Sequence, residues 1–322
     1  MPLKNDILLA LETNRGAAVS GQKLAGDFGV SRNAVWKAIK ALQGEGYQIE
    51  AATRSGYRLA DDCDLLSAPG IRAYLLPRYR DLAVFVHPEL DSTNNEAKRL
   101  LAQGFTGQGL ILAESQQAGR GRLGRSFFSP RGSGVYMSLI LRPGAATESI
   151  LPLTTMAAVA VTEAIKQLCG LRPEIKWVND VYLQGKKICG ILTEAESGLE
   201  AGIVSSVIVG IGINVHHNDF PPQLTKIAGA LNCRGLRRNQ LIADVANRLL
   251  DLAANPGDHS YLESYRRHSL VLGRDITYQE RGEEISARAI AIDELGGLEI
   301  ELADGSRRVL RSGEISLRLA PR

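Results

Sequence analysis

Gly119-Arg120-Gly121-Arg122-Leu123-Gly124-Arg125 sets three guanidinium groups among three glycines, with no carboxylate between them. Arginine presents a planar, permanently charged fork that matches phosphate or carboxylate oxygens. Glycine lets backbone N–H groups approach a ligand closely. Three such cations repel one another by about 1 kcal/mol per pair at ~4 Å even in water, and a bound anion relieves that cost. Phe127, Phe128 and an apolar run over residues 135–141 follow, so the segment reads as an ordered loop between strands that clamps a small anionic group. A Walker A loop is excluded, because Gly-x-x-x-x-Gly-Lys-Ser/Thr is absent. A disordered Arg/Gly tail is excluded too, because the motif occurs once, inside globular sequence.

The surrounding composition limits what the clamp can serve. The chain has 322 residues, 44% hydrophobic and 23% charged, with a net charge of +3. That is enough for two or three domains with real cores, and any contact with nucleic acid must come from a local patch. Cysteines 63, 169, 189 and 233 form no Cys-x-x-Cys and no zinc spacing, so neither disulfides nor a structural metal are expected. No stretch approaches the ~20 apolar residues of a membrane helix, and the start lacks a cleavage site. The expected location is cytoplasmic.

Three regimes lie along the chain: short helices and polar turns over 1–65, alternating strands and helices over 66–270, and short β segments over 271–322. In the first, Ser20 and Ser31 are placed to cap two helices joined at Gly29, the helix-turn-helix arrangement. Ala34, Val35, Ala38, Ile39 and Leu42 face inward, leaving Ser31, Arg32, Asn33, Lys37 and Lys40 for phosphates and base edges. Residues 47–50 and 57–59 flank a turn containing Arg54, the hairpin of a winged helix. A helix-turn-helix used only for packing or protein contact is the alternative.

The middle regime opens with Asp91-Ser92-Thr93-Asn94-Asn95-Glu96. Thr93 and Glu96 fit a capping box, and the hydroxyls and free N–H groups of a helix start can also hold an uncharged polar ligand. Gln116 precedes the arginine loop. Lys176-Trp177-Val178-Asn179-Asp180 leads through a turn at Gln184-Gly185 into Lys186-Lys187-Ile188-Cys189-Gly190-Ile191-Leu192. Strand alternation sends Lys186 and Lys187 to opposite faces, so at most one points at a site facing the loop. An apolar β-branched strand then runs into Gly210-Ile211-Gly212-Ile213-Asn214, where glycines permit close backbone approach and Asn214 adds a bifunctional amide.

A winged helix ahead of Gly-Arg-Gly-Arg-x-Gly-Arg, Lys-Trp-x-Asn-Asp, Lys-x-x-Gly-Ile-Leu and Gly-x-Gly-Ile-Asn strongly resembles the bifunctional biotin–protein ligases that also repress biotin synthesis. The similarity spans essentially the whole chain, through Gly313-Glu314-Ile315-Ser316-Leu317-Arg318. It implies an α+β multidomain protein with a winged helix, a central mixed sheet of the class II aminoacyl-tRNA synthetase type and a C-terminal SH3-like β-barrel. By the resemblance Ser92, Thr93, Asn94 and Gln116 contact biotin, and Arg120, Gly121, Arg122 and Arg125 close over biotin and the adenylate phosphate. Lys187 meets the reacting carboxyl and phosphate, and Asn179, Asp180 and Asn214 lie near the nucleotide. Asp180 is the candidate for a Mg²⁺ or lysine contact. Phe127 stands where the family usually has a tryptophan on adenine, and Val178 where it has a proline. Phenylalanine keeps a stacking face but lacks the indole N–H.

The implied chemistry is activation of biotin by ATP to biotinyl-5′-AMP, with Mg²⁺ on the polyphosphate, then transfer to a lysine of a biotin carboxyl carrier domain. Arg120, Arg122 and Lys187 offset the repulsion of two approaching anions. The glycine-rich loop is expected to order on ligand binding. Ligand-dependent homodimerisation would place two winged helices on operator DNA. A ligand-sensing repressor without ligase activity, and a lipoate ligase-like enzyme, are the alternatives.

Overall fold

The computed structural model describes residues 2–52, 56–142, 151–197, 204–216, 220–280, 282–313 and 315–317. Arg54, Glu314 and Arg318 lie outside the described residues. The chain divides into two compact units, Met1–Asp81 with Arg234–Asp244, and Leu82–Cys233 with Val245–Arg322.

The first unit holds α1 (Pro2–Thr13), α2 (Gly21–Asp27), α3 (Arg32–Gly44), the hairpin β1 (Ile49–Ala52) and β2 (Gly56–Leu59), and α4 (Ala68–Arg72). Ser20 Oγ accepts from Lys23 N–H at 3.0 Å and Ser31 Oγ from Ala34 N–H at 3.1 Å, so each helix starts where its serine satisfies an orphan donor. Gly29 turns the chain with φ +63°. Ile7, Leu8, Leu11, Leu24, Val35, Ile39, Leu42 and Leu59 form one buried core. A connection hidden from sequence closes the unit. Arg238, 3% exposed, donates its Nε to Asp64 at 2.8 Å, and Asn239 bonds Ser67 and Leu65.

The second unit contains β3 (Ala83–His87), α5 (Thr93–Ala102), β4 (Gly109–Ala113), β5 (Gly134–Leu141), α6 (Leu151–Cys169), β6 (Glu174–Lys176), β7 (Asp180–Leu183), β8 (Lys186–Ser197) and β9 (Val204–Asn214). After α7 (Arg238–Ala254), whose start belongs to the first unit, come α8 (Tyr261–Arg267) and strands β10 (Asp275–Glu280), β11 (Glu283–Ile292), β12 (Leu298–Leu302), β13 (Arg307–Leu310) and β14 (Ile315–Leu317). The central sheet has the order β3-β4-β5-β9-β8-β7-β6, with only β3 and β4 parallel. Every residue of β4 and β5 is buried, which explains their continuous apolar runs. Ser138 is the hydroxyl amid that run.

The last five strands form an antiparallel sheet, β13-β12-β11-β10-β14, the SH3-like element of the resemblance. It is tied to the central domain through Trp177, whose Nε1–H donates to Gly296 O at 3.0 Å, and Arg266, which donates to Ile292 O.

Candidate functional site

One cavity of about 340 Å³ is lined by Ser92, Thr93, Asn94, Gln116, Arg120, Gly121, Arg122, Arg125, Phe127, Asn179, Asp180, Lys187 and Asn214. Every residue proposed for biotin or nucleotide from the sequence therefore reaches the same wall. The volume falls within the roughly 300–1,000 Å³ of small-ligand sites. The residues proposed for DNA, Ser31, Arg32, Asn33 and Lys37, are exposed at the start of α3 in the other unit.

The arginine loop is a closed turn. Gly121 N–H donates to Arg125 O at 2.7 Å and Phe127 N–H to Gly119 O at 2.8 Å. Leu123 and Gly124 take left-handed φ of +54° and +74°. An L-residue with a Cβ pays about 1 kcal/mol or more for that conformation, and Leu123 is 76% exposed at the tip. Gly119 answers a different need. A Cβ there would lie 2.4 Å from Phe127 O.

Side chains hold the loop from outside. Arg120 Nη1 donates to Asn95 Oδ1 at 3.1 Å and lies 3.7 Å from Glu194. Arg122 Nη1 donates to Asn179 Oδ1 at 3.1 Å, and Asn179 Nδ2 donates to Ile191 O at 2.9 Å. The Lys-Trp-x-Asn-Asp and Lys-x-x-Gly-Ile-Leu segments thus brace the loop as well as line the pocket.

The start of α5 departs from the capping box expected at Thr93 and Glu96. Ser92 occupies the N-cap position, makes no side-chain capping bond and is 2% exposed. Thr93 is already helical. Its N–H goes to Gln116 Oε1 at 2.8 Å, and its hydroxyl lies near the same oxygen and 2.7 Å from Ser138 Oγ. Gln116 therefore supplies the cap from the loop after β4, because Thr93 is turned into the buried sheet and Glu96 pairs with Arg99. Gln116 Nε2 donates to Ser129, which fixes the amide orientation.

Asn94 is fully engaged. Its Oδ1 lies 2.6 Å from Ser138 Oγ, while Nδ2 reaches Glu194 at 2.7 Å and Leu192 O at 3.3 Å. Gly210 makes room for it, since a Cβ there would sit 2.2 Å from Asn94 Oδ1. Glu194 also accepts from Lys98 Nζ at 3.0 Å. Burial pushes the Glu194 carboxyl up, but the Asn94 and Lys98 hydrogen bonds outweigh it and hold the group below its ordinary range. Ser138 and Glu194 hold the wall residues Thr93 and Asn94 in place, and neither role was legible from the sequence. The only signal was a hydroxyl inside an apolar strand.

Lys187 faces the cavity with Nζ 2.6 Å from Asp180 Oδ1, whereas Lys186 turns away to Thr225 O. Alternation at the hairpin thus selects one lysine for the site. Phe127 packs edge-on against Tyr136 at 6.4 Å between centroids. Its ring fills the space above Gly212, where a Cβ would lie 2.6 Å away. Val178, in place of the family's proline, is buried and follows a cis peptide bond, and its carbonyl accepts from Tyr265. Among the described residues no group of three or more His, Cys, Asp or Glu side chains could hold a metal ion. With Asp180 against Lys187, the donor set does not make a resident cation cage.

Comparison with known proteins fixes the family. A Biotin/lipoate A/B protein ligase family model matches residues 86–214, an HTH domain model 4–58 and a Biotin protein ligase C terminal domain model 271–318. The bifunctional ligase/repressor BirA of Bacillus subtilis is 35% identical over 98% of both chains. The chain belongs to the bifunctional ligase/repressor BirA family. The Escherichia coli member is 32% identical over 99% of this chain and 98% of its own. A solved biotin protein ligase from Aquifex aeolicus, in complex with biotin and ATP, covers 74% of this chain and 99% of its own, with TM-score 0.63 and 29% identity. No helix of the described residues is long and apolar enough to cross a membrane.

Proposed function

We propose that this chain is a biotin–[acetyl-CoA-carboxylase] ligase that uses ATP to form biotinyl-5′-AMP and passes biotin to one lysine of a carboxyl carrier domain. The observation that carries this reading is the convergence of Lys187, Arg120, Arg122 and Arg125 with the neutral polar wall of Ser92, Thr93 and Gln116 on one cavity. Ser92, whose hydroxyl makes no capping bond, and Thr93 suit the uncharged ring system of biotin. The guanidinium groups and Lys187 suit the carboxylate and α-phosphate. Asn94, with its amide engaged by Ser138 and Glu194, shapes the biotin wall. Phe127, Asn179, Asp180 and Asn214 line the adenylate side. Mg²⁺ enters with the polyphosphate as part of the nucleotide substrate.

In the first step a biotin carboxylate oxygen attacks the α-phosphorus of ATP and pyrophosphate leaves. Lys187 and the loop arginines stabilise charge on the transferring group. In the second, the carrier lysine amine attacks the acyl carbon, loses its proton and expels AMP. Positioning and exclusion of water from the anhydride carry the rate.

The same chain acts as a biotin-responsive repressor in the cytoplasm, with Ser31, Arg32, Asn33, Lys37 and Arg54 on operator DNA and homodimerisation on binding of biotinyl-AMP. Its three functional divisions are 1–65, 66–270 and 271–322. Incubating the full chain with labelled biotin or lipoate, ATP and a carrier domain tests the ligase reading. Biotin transfer that requires ATP is expected, and transfer of lipoate alone, or binding without transfer, would overturn it.

A further inference from the structure

The exposed face of α3 carries a residue that the DNA-binding assignment leaves out. Arg32, Asn33, Trp36, Lys37 and Lys40 are all exposed, opposite the buried Val35, Ile39 and Leu42. Their three- and four-residue spacing puts them on one stripe. Trp36 stands at its centre, 49% exposed. It belongs neither to the buried core of this unit nor to the partly buried side chains packed on that core. Among the described residues Arg32, Lys37 and Lys40 form no ion pair with a carboxylate, so the indole is framed by uncompensated positive charge.

We propose that Trp36 is a DNA contact, packing its ring on thymine methyl groups in the major groove while Arg32, Lys37 and Lys40 hold the flanking phosphates. The inference rests on the repressor reading and deepens it. Cations alone would serve phosphates without sequence information. A large apolar ring needs an apolar partner, and the C5-methyl of thymine is the one that the major groove displays. The helix is long enough to lie in that groove, and the cationic frame selects a polyanion over an apolar protein surface.

The chain's two tryptophans make the test specific. Trp177 is 3% exposed, with its N–H on Gly296 O, so quenching of emission by acrylamide reports Trp36. The probe is a duplex recovered from a randomised library with the full chain, biotin and ATP. Adding it is expected to shield Trp36 from quencher. Trp36→Ala is expected to weaken binding by about tenfold or more, as for aromatic anchors elsewhere, and Trp36→Phe by less. Replacing contacted thymines by uracil should weaken the parent but leave Trp36→Ala unchanged, a coupling that general misfolding does not produce. If the parent binds the duplex while Trp36 stays open to quencher, or Trp36→Ala binds as well as the parent, the inference fails and the repressor reading survives. Shielding by biotin and ATP without DNA would assign the ring to a protein contact instead and overturn it. If the parent recovers no duplex at all, both readings fall.

Discussion

Helix α3 and the arginine loop both present clustered cations, yet they hold them in opposite ways. On α3 the backbone itself fixes Arg32, Lys37 and Lys40 on one stripe, and none needs a side-chain tether. The loop has only a three-residue 3-10 turn, Arg122–Gly124, and no longer element to do this. Arg120 is fastened to Asn95 and lies near Glu194, and Arg122 is fastened to Asn179. A helix supplies orientation through its own hydrogen bonds, whereas a turn must borrow it from neighbouring side chains. Affinity on the helix should then be nearly additive over residues, and function in the loop should be cooperative.

The largest effect should come from the lysine that the loop faces. Lys187→Ala is expected to lower biotin-dependent adenylate formation by about 10²–10³-fold, the cost of removing a group that stabilises transition-state charge. Single-turnover kinetics would show it, and a loss confined to KM would contradict the placement. Arg122→Gly should come next, releasing biotinyl-AMP about ten- to a hundredfold faster. Asn179→Ala should show a weaker form of the same defect, because a lost neutral tie is worth about 0.5–1.5 kcal/mol. Measured release rates that separate these two variants completely would break the idea that Asn179 acts through Arg122.

On the helix, Arg32→Ala and Lys37→Ala should each reduce DNA affinity severalfold and flatten its salt dependence by about one unit of slope. The double variant should show the sum. Strong non-additivity would mean that α3 needs tethers after all.

The smallest effect concerns Asp91, which bonds Arg99 and Asn95 just before α5. Arg99 first, against some burial, pulls the Asp91 carboxyl from 3.8 to about 2. Folding therefore favours the ionised form. Its contribution is present above pH ~4 and fades as pH falls toward 2. Because the pair is largely exposed, it should amount to less than about 1 kcal/mol. Thermal melts of the parent and Asp91→Asn should converge as pH drops through that window, and a constant gap would contradict the assignment.

Much of the helix was legible because its information is local. Ser31 marks its start, Ser20 and Gly29 mark the helix and turn before it, and Val35, Ile39 and Leu42 mark its buried side. Loop residues were legible as chemistry, since arginines, glycines and Lys187 come in dense motifs, and alternation separated Lys187 from Lys186. What stayed hidden is what spans distance. Gln116 caps Thr93 from 23 residues away, Glu194 orients Asn94 across 100, and Asp64 reaches Arg238 across 174. No periodicity encodes such pairs. The capping box at Thr93 failed for the same reason, because a tertiary acceptor displaced the local one.

Whether this pocket joins a carboxylate to a nucleotide decides its chemistry most directly. Exchange of labelled pyrophosphate into ATP by the purified full chain measures that step alone. Rapid exchange that requires biotin and disappears in Lys187→Ala is the expected result. Exchange indifferent to biotin, or none from a folded protein that binds both substrates, would contradict it.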